Sequence, residues 1–157
     1  MSAREVDLLV AGGGPAGLAA ALVGALEGLD VLVCEKSEQV GGTGATSAGT
    51  LWIPGNHQSR DAGFSDSAAQ AETYLDALVG NTSGRELRTA FLKTGPAAID
   101  WLERNSALKF LPCGRHPDYR SNMKGAAVAG RAIIPEPFAG RLLGADFAQL
   151  RPPDRKS

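Results

Sequence analysis

Residues Val6 to Ala11 are largely apolar and β-rich, and a run of glycines stops them, which predicts a short buried strand. Pro15 to Glu27 then predicts a helix. Proline suits a first turn because its missing N–H has no helical partner there anyway. Leu18, Leu22 and Leu26 form an i, i+4, i+8 stripe, and Ala19, Ala20, Ala21 and Ala25 are small enough to let the helix lie close to a sheet. Gly28 ends the helix and Val31 to Cys34 forms a second buried strand. Strand, helix and strand follow at tight spacing, so a right-handed crossover and a parallel pair are expected.

The pattern loosens after residue 40. A glycine cluster, Gly41 to Gly49, leads into the apolar Leu51-Trp52-Ile53-Pro54. Ser65-Asp66 reads as an N-cap, and Ala71, Tyr74, Leu75 and Leu78 mark one helical face closed by Gly80-Asn81. Ser83 starts a further helix with Leu87, Ala90 and Phe91 inward. Thr94-Gly95-Pro96 restarts another, with Ile99 and Leu102 inward as far as Asn105. Leu108 to Leu111 suits a short strand. Beyond Pro112 the chain reads as loops, and residues 151–157 as a polar, disordered tail. One compact unit is the simplest organisation.

Composition changes this picture at one point. The chain of 157 residues holds 20 glycines, where average usage gives about 11. Half of them precede residue 50, so the excess has a local cause. A formal net charge of -1 offers no footprint for nucleic acid and no polybasic patch for membranes. The uncharged stretch from Leu8 to Leu26 follows Asp7 with no basic segment before it. Glycines and a proline break it where a spanning helix stays regular, so no membrane span is predicted. Cys34 and Cys113 fit no metal or redox spacing and read as reduced thiols of a cytoplasmic protein. His57 and His116 lack ligand partners and read as loop histidines; no metal site is predicted.

The local cause is Gly12-x-Gly14-x-x-Gly17, placed between a strand and a helix. Gly12 permits the tight turn, Gly14 lets bare backbone reach a pyrophosphate, and Gly17 lets helix and strand pack closely. The anion meets free N–H groups at the positive helix end. Glu35, at the end of the second strand, is placed to accept from ribose hydroxyls and to repel a 2′-phosphate. NAD and FAD both satisfy this much.

Glu35-Lys36 followed by residues 41 to 56, Gly-Gly-Thr-Gly-Ala-Thr-Ser-Ala-Gly-Thr-Leu-Trp-Ile-Pro-Gly-Asn, resembles the fumarate reductase-like FAD flavoproteins, most of all their 3-ketosteroid Δ1-dehydrogenase branch. Thr73-Tyr74-Leu75, Thr94-Gly95-Pro96, Pro117-Asp118-Tyr119 and Gly130-Arg131 extend the resemblance to about Leu150. It implies an α/β, Rossmann-type FAD-binding fold with a parallel sheet, of which residues 1–150 form the amino-terminal part. It implies FAD contacts at Gly12, Gly14, Ala16, Gly17, Glu35, Lys36, Gly42, Thr43, Ala45, Thr46, Ser47 and Gly49. Some relatives attach FAD through a histidine in the second loop. None occurs between Lys36 and Asn56, so non-covalent FAD is implied.

The resemblance also implies a reaction. In such steroid dehydrogenases a tyrosine after Pro-Asp, matched here by Tyr119, assists a second tyrosine that takes a proton from C2. Hydride passes from C1 to flavin N5. A phenol, whose pKa is ordinarily near 10, needs such help to act as a base. Tyr119 is therefore the catalytic candidate, beside the plainer reading of a loop tyrosine in a packing contact. The expected substrate is a small, apolar, steroid-like ketone. An external electron acceptor is required, and its identity stays open. A reductase of an activated alkene, fumarate or urocanate, is the alternative within enzymes, and a non-catalytic nucleotide-binding remnant the alternative outside them. The family's other two catalytic tyrosines find no counterpart among these residues, so the chain alone is expected to be inactive and to hold FAD weakly or not at all. Trp52 and Trp101 read as core residues.

Overall fold

The computed structural model describes residues 4–80, 82 and 84–153. They fall into two compact units, described over residues 4–49 with 137–153 and over residues within 50–136, where the sequence pattern suggests one. Asn81 and Ser83, read above as a helix end and a helix start, lie outside the described residues, as do residues 154–157.

In the first unit, β1 (Leu8–Ala11) pairs in parallel with β2 (Val31–Cys34), Leu8 opposite Val31 and Ala11 opposite Cys34. Helix α1 (Pro15–Leu26) joins them. Side chains alternate along a strand, so Leu8 and Val10 turn toward α1 while Leu9 turns away. Val10 is buried and Leu9 is 61% exposed. The expectation of fully buried strands is thus corrected: α1 covers a single face of this two-stranded sheet.

The leucine stripe expected to seat α1 is also displaced. Leu18 and Leu26 are exposed, and the one buried residue of the helix is Gly24. A Cβ there would stand 2.7 Å from Leu8 Cδ2 and 3.1 Å from Val31 Cγ2. Helix and sheet approach through missing side chains, and the leucines are left on the flanks.

Residues Gly140–Gln149 form 3-10 turns kinked at Gly144. They return to the second glycine loop, where Val40 bonds Gln149 O (2.8 Å) and Arg151 N–H bonds Val40 O (2.9 Å). Arg151, assigned above to the disordered tail, is tied by this bond.

The second unit holds an antiparallel sheet in the order β3 (Leu51–Trp52), β5 (Ala132–Pro135), β4 (Phe110–Pro112). Around it run α2 (His57–Asp61), α3 (Ala68–Val79) and α4 (Arg85–Asn105). Ile53, Ile99, Phe110 and Ile133 form its core, with Leu51 packed against them.

Three readings change in this unit. The cap of α3 is Ser67, whose hydroxyl accepts from Gln70 N–H at 3.1 Å; Asp66 is engaged by Arg131 instead. The two helices expected around Thr94 are one, with Pro96 inside it. Interior proline costs a helix about 3 kcal/mol. Leu92 and Ile99 are both buried and seven residues apart, two turns on one face, so packing of that face offsets the cost. Inward Leu87 is overturned for the same reason: it is 76% exposed, and Leu92 takes the buried position. Ala90 and Phe91 are exposed too, although Phe91 stacks on Trp52 at 6.3 Å. Finally, the loop region after Pro112 contains β5, the central strand of the sheet.

Candidate functional site

The first glycine loop is built as its spacing requires. Gly12 takes φ +103, open to glycine and strained for other residues, and its N–H closes onto Cys34 O at 2.7 Å. A Cβ on Gly17 would overlap the carbonyl oxygen of Gly12, so only glycine brings α1 this close to the turn. Around Gly14 the space where a Cβ would stand is open. Gly14 caps α1 without a side-chain bond, and no acidic residue occupies the first turn. Ala16 and Gly17 therefore present first-turn N–H groups, at the positive end of a twelve-residue helix.

Gly13 joins three segments. Its N–H donates to Glu35 Oε2 at 2.7 Å, and its carbonyl accepts from Gly41 N–H at 2.7 Å. One residue thus binds Glu35, just past β2, through its N–H and the start of the second glycine loop through its carbonyl. The loops then close on each other. A Cβ on Gly44 would overlap Pro15 Cγ, and one on Gly42 would stand 3.2 Å from Gly14 Cα. Two stretches of bare backbone, some thirty residues apart in sequence, form a continuous surface at the α1 terminus.

Within the second loop, Gly42–Thr46 forms a 3-10 turn. Thr46 Oγ1 donates to Thr43 O (3.0 Å) and Ser47 Oγ to Gly44 O (2.9 Å), so both hydroxyls hold the loop's shape. Glu35 Oε1 accepts from the amide and hydroxyl of Ser37, both at 3.0 Å. The Gly13 N–H first, then Ser37, holds the Glu35 carboxyl below the ordinary carboxylate range. Lys36 is exposed beside it. Of the predicted contacts, then, Gly12, Gly14, Ala16, Gly17, Glu35, Gly42, Thr43 and Ala45 lie on this junction or next to it in the chain. Gly13, an unassigned position of the fingerprint, is what links its parts; its signal was only its place between two assigned glycines.

Tyr119 belongs to the second unit. It is 94% exposed and borders a cavity of about 340 Å³ whose walls include Trp52, Tyr74, Leu75 and Leu78. Asp118, before it, is buried. Its Oδ1 accepts from Trp52 Nε1 (2.7 Å), and its Oδ2 from Arg131 Nη1 (2.6 Å) and Ala127 N–H (2.9 Å). Arg131 is 1% exposed and bonds Asp66 Oδ1 through Nε (3.1 Å) and Gly125 O through Nη2 (3.0 Å). Its guanidinium also lies 5.7 Å from the ring centroids of Trp52 and Tyr74. Arg131 and Asp66 were not recognised as a buried ion network from sequence. Trp52, read there as core, is half-buried instead: it lines the cavity and stacks on Phe91.

His57 is not the loop histidine expected: it opens α2, with Nδ1 2.7 Å from Asp100 Oδ1 and Nε2 3.4 Å from Glu103 Oε2. Among the described residues, no group of three or more His, Cys, Asp or Glu could hold a metal ion, and no helix is long and apolar enough to cross a membrane.

The model of one protein family, described as "FAD binding domain", matches residues 7–155. The chain belongs to this family. Its cofactor is FAD. What this chain offers such a dinucleotide is bare main chain at the start of α1 and the Glu35 carboxylate just past β2. Among relatives, 4-oxocyclohex-2-ene-1-carboxylate 5-dehydrogenase of Sinomonas cyclohexanicum is 42% identical over 93% of this chain and 24% of its own length. The 3-oxosteroid 1-dehydrogenase of Mycobacterium tuberculosis is 39% identical over 97% of this chain and 27% of its own length. Among solved structures, 3-ketosteroid delta1-dehydrogenase from Sterolibacterium denitrificans superposes with a TM-score of 0.87 at 38% identity, covering 94% of this chain and 26% of that one. The chain thus spans about a quarter of the length of the relatives it matches.

Proposed function

We propose that this chain supplies the FAD-binding loops and one wall of the ketone site of an FAD-dependent dehydrogenase. That enzyme introduces a double bond next to the carbonyl of a cyclic ketone. The observation that carries the reading is Gly13, whose N–H bonds Glu35 while its carbonyl bonds Gly41. It makes one anion-binding surface of two glycine loops, and a nicotinamide fold has no use for the second.

Gly14, Ala16 and Gly17 receive the pyrophosphate on backbone N–H groups, beside the tight turn that Gly12 makes. Glu35, ionised, takes ribose hydroxyls, with Lys36 at its side. Gly42, Thr43, Ala45, Thr46, Ser47 and Gly49 line the flavin half. Held there, FAD would supply a two-electron acceptor for hydride leaving the ketone's β-carbon. The double bond forms as the α-carbon gives up its proton, and the two electrons go on to an external acceptor. Without a histidine in residues 41–49 the cofactor is held non-covalently. Tyr119 assists the group that removes the α-proton. The free thiols of Cys34 and Cys113 support a cytoplasmic setting.

The named relatives act on 3-oxosteroids and on one-ring oxo acids, and the apolar walls beside Tyr119 favour the steroid-like class.

The test is amide NMR of the purified chain titrated with FAD and, separately, with NAD. FAD is expected to shift residues 12–17, 35–36 and 42–49 together. Shifts with NAD and none with FAD would overturn the reading.

A further inference from the structure

We infer that His116 is a specificity-determining residue of the ketone site, its ring N–H receiving an oxygen substituent of a fused-ring ketone held in the cavity. The inference rests on the proposed function and adds a residue, and a choice of substrate class, to it.

The cavity holds about 340 Å³, within the range of sites for drug-sized ligands. Most of its wall is apolar. Polar side chains on that wall are few: those of Trp52, Tyr74 and Asp118 are already engaged, while the Thr50 and Tyr119 hydroxyls bond no other described residue. Both oxygens of Asp118 are taken by Trp52, Arg131 and Ala127, and the Tyr74 hydroxyl accepts from Arg120 N–H at 3.3 Å. The His116 ring, the nitrogen-bearing group among the unengaged ones, also makes no hydrogen bond to another described residue. It borders the same cavity, half-buried, with its ring centroid 6.4 Å from that of Tyr119.

Its position is built rather than incidental. Gly114, at φ +63, lets the backbone turn so that His116 N–H bonds Gly114 O at 3.1 Å. Two residues on, Asp118 is fixed by its side-chain bonds and by its own N–H to Ala127 O at 2.9 Å. Pinned on both sides, the segment holds His116 and Tyr119 on one wall. An imidazole carries an N–H donor whether neutral or protonated, so the contact does not depend on titration.

The wall also separates the two kinds of ketone. Among the described residues no lysine or arginine lines the cavity, and its one acidic residue, Asp118, is already bonded to Arg131. A one-ring oxo acid would bring a negative charge against apolar surface with no lining cation to meet it. A neutral fused-ring ketone fills the volume and needs one donor for its oxygen.

The probe is 4-androstene-3,17-dione, with 4-oxocyclohexanecarboxylate as the competing chemistry. In a Trp101→Phe background Trp52 is the single tryptophan reporter of binding, since the chain has two. The steroid is expected to bind, and to shift the His116 ring signals, which single substitution distinguishes from those of His57. His116→Phe keeps an aromatic wall and removes the donor; it should weaken binding roughly threefold to tenfold. His116→Asn restores a donor and should stay within about twofold of the parent.

Equal affinity in His116→Phe, with the steroid bound, would overturn the role of His116 and leave the proposed function standing. Tighter binding of the oxo acid than of the steroid would overturn the fused-ring class. FAD shifts at the glycine loops with neither ketone bound would overturn this inference and the ketone site, and spare the flavin assignment.

Discussion

The Gly13 amide donates to Glu35 Oε2 at 2.7 Å, so the carboxylate that ends β2 is fixed by the loop it serves. Its lowered pKa follows from that bond, and the sign of its pH dependence follows in turn. A carboxyl depressed in the folded state contributes stability that is complete above its unfolded value, ordinarily about 4.3 for Glu. That contribution is lost as pH falls through the lowered folded value. Urea midpoints of the parent and Glu35→Ala should therefore differ most near pH 7 and converge in acid. FAD should dissociate from Glu35→Ala about tenfold more readily, since an acceptor of the Gly13 N–H and of the ribose is gone. A midpoint difference that grows in acid would contradict the assignment.

Three glycines of the two loops separate fold from function. At Gly17 and Gly44 a Cβ meets Gly12 O and Pro15 Cγ, so alanine there forces the backbone apart. A loss of about 1–3 kcal/mol is expected for each from overpacking. At Gly14, φ −79 suits any residue and no atom lies within 4 Å of a Cβ. Gly14→Ala should leave stability within about 0.5 kcal/mol of the parent. Its methyl nevertheless stands where a pyrophosphate must approach, so FAD affinity should fall about tenfold. Thermal melts paired with FAD titrations check both halves, and a Gly14→Ala protein that binds FAD normally would remove Gly14 from the site.

How far the chain announces this structure depends on how local the cause is. The β1–α1–β2 unit and its glycine turn were legible because each part is a continuous run with a stop signal. The seat of α1 was not: Gly24 packs against Leu8 and Val31 by lacking a side chain, and a hydrophobic stripe does not register an absence. β5 escaped because four residues between Arg131 and Glu136 carry no period. Their pairing with Leu51–Trp52 spans some eighty residues of chain. The Asp66–Arg131 bond joins positions 65 apart. Pro96 was read by its usual habit, and a long-range constraint, the common burial of Leu92 and Ile99, prevailed. At the site, motif spacing identified the parts, and only the fold identified Gly13 as their joint.

The two thiols should react at different rates. Cys34 is exposed at the end of β2, whereas burial pushes the Cys113 thiol up. A raised pKa means less thiolate at a given pH, and the thiolate is the nucleophile. Iodoacetamide at pH 8 should modify Cys34 first, by mass-spectrometric peptide mapping, with Cys113 following faster once urea opens the second unit. Equal rates in the folded chain would show that Cys113 is not shielded as described.

Arg131 carries the strongest stability prediction, because its guanidinium is what permits Asp66 and Asp118 to stay inside. Arg131→Met keeps much of the side chain's bulk but leaves both carboxylates buried without their cation. Breaking such an arrangement costs about 3–5 kcal/mol. Asp118→Asn is milder: an amide oxygen can still accept from Trp52 Nε1 or Ala127 N–H, and Asp66 keeps Arg131 compensated. Trp52 is bonded to Asp118 and packed near Arg131, so its near-ultraviolet dichroism reports on the network directly. Arg131→Met should lose that signal at a lower urea concentration than Asp118→Asn, which in turn should fall below the parent. The reverse order would mean that the carboxylates, rather than the arginine, organise the wall on which His116 and Tyr119 stand.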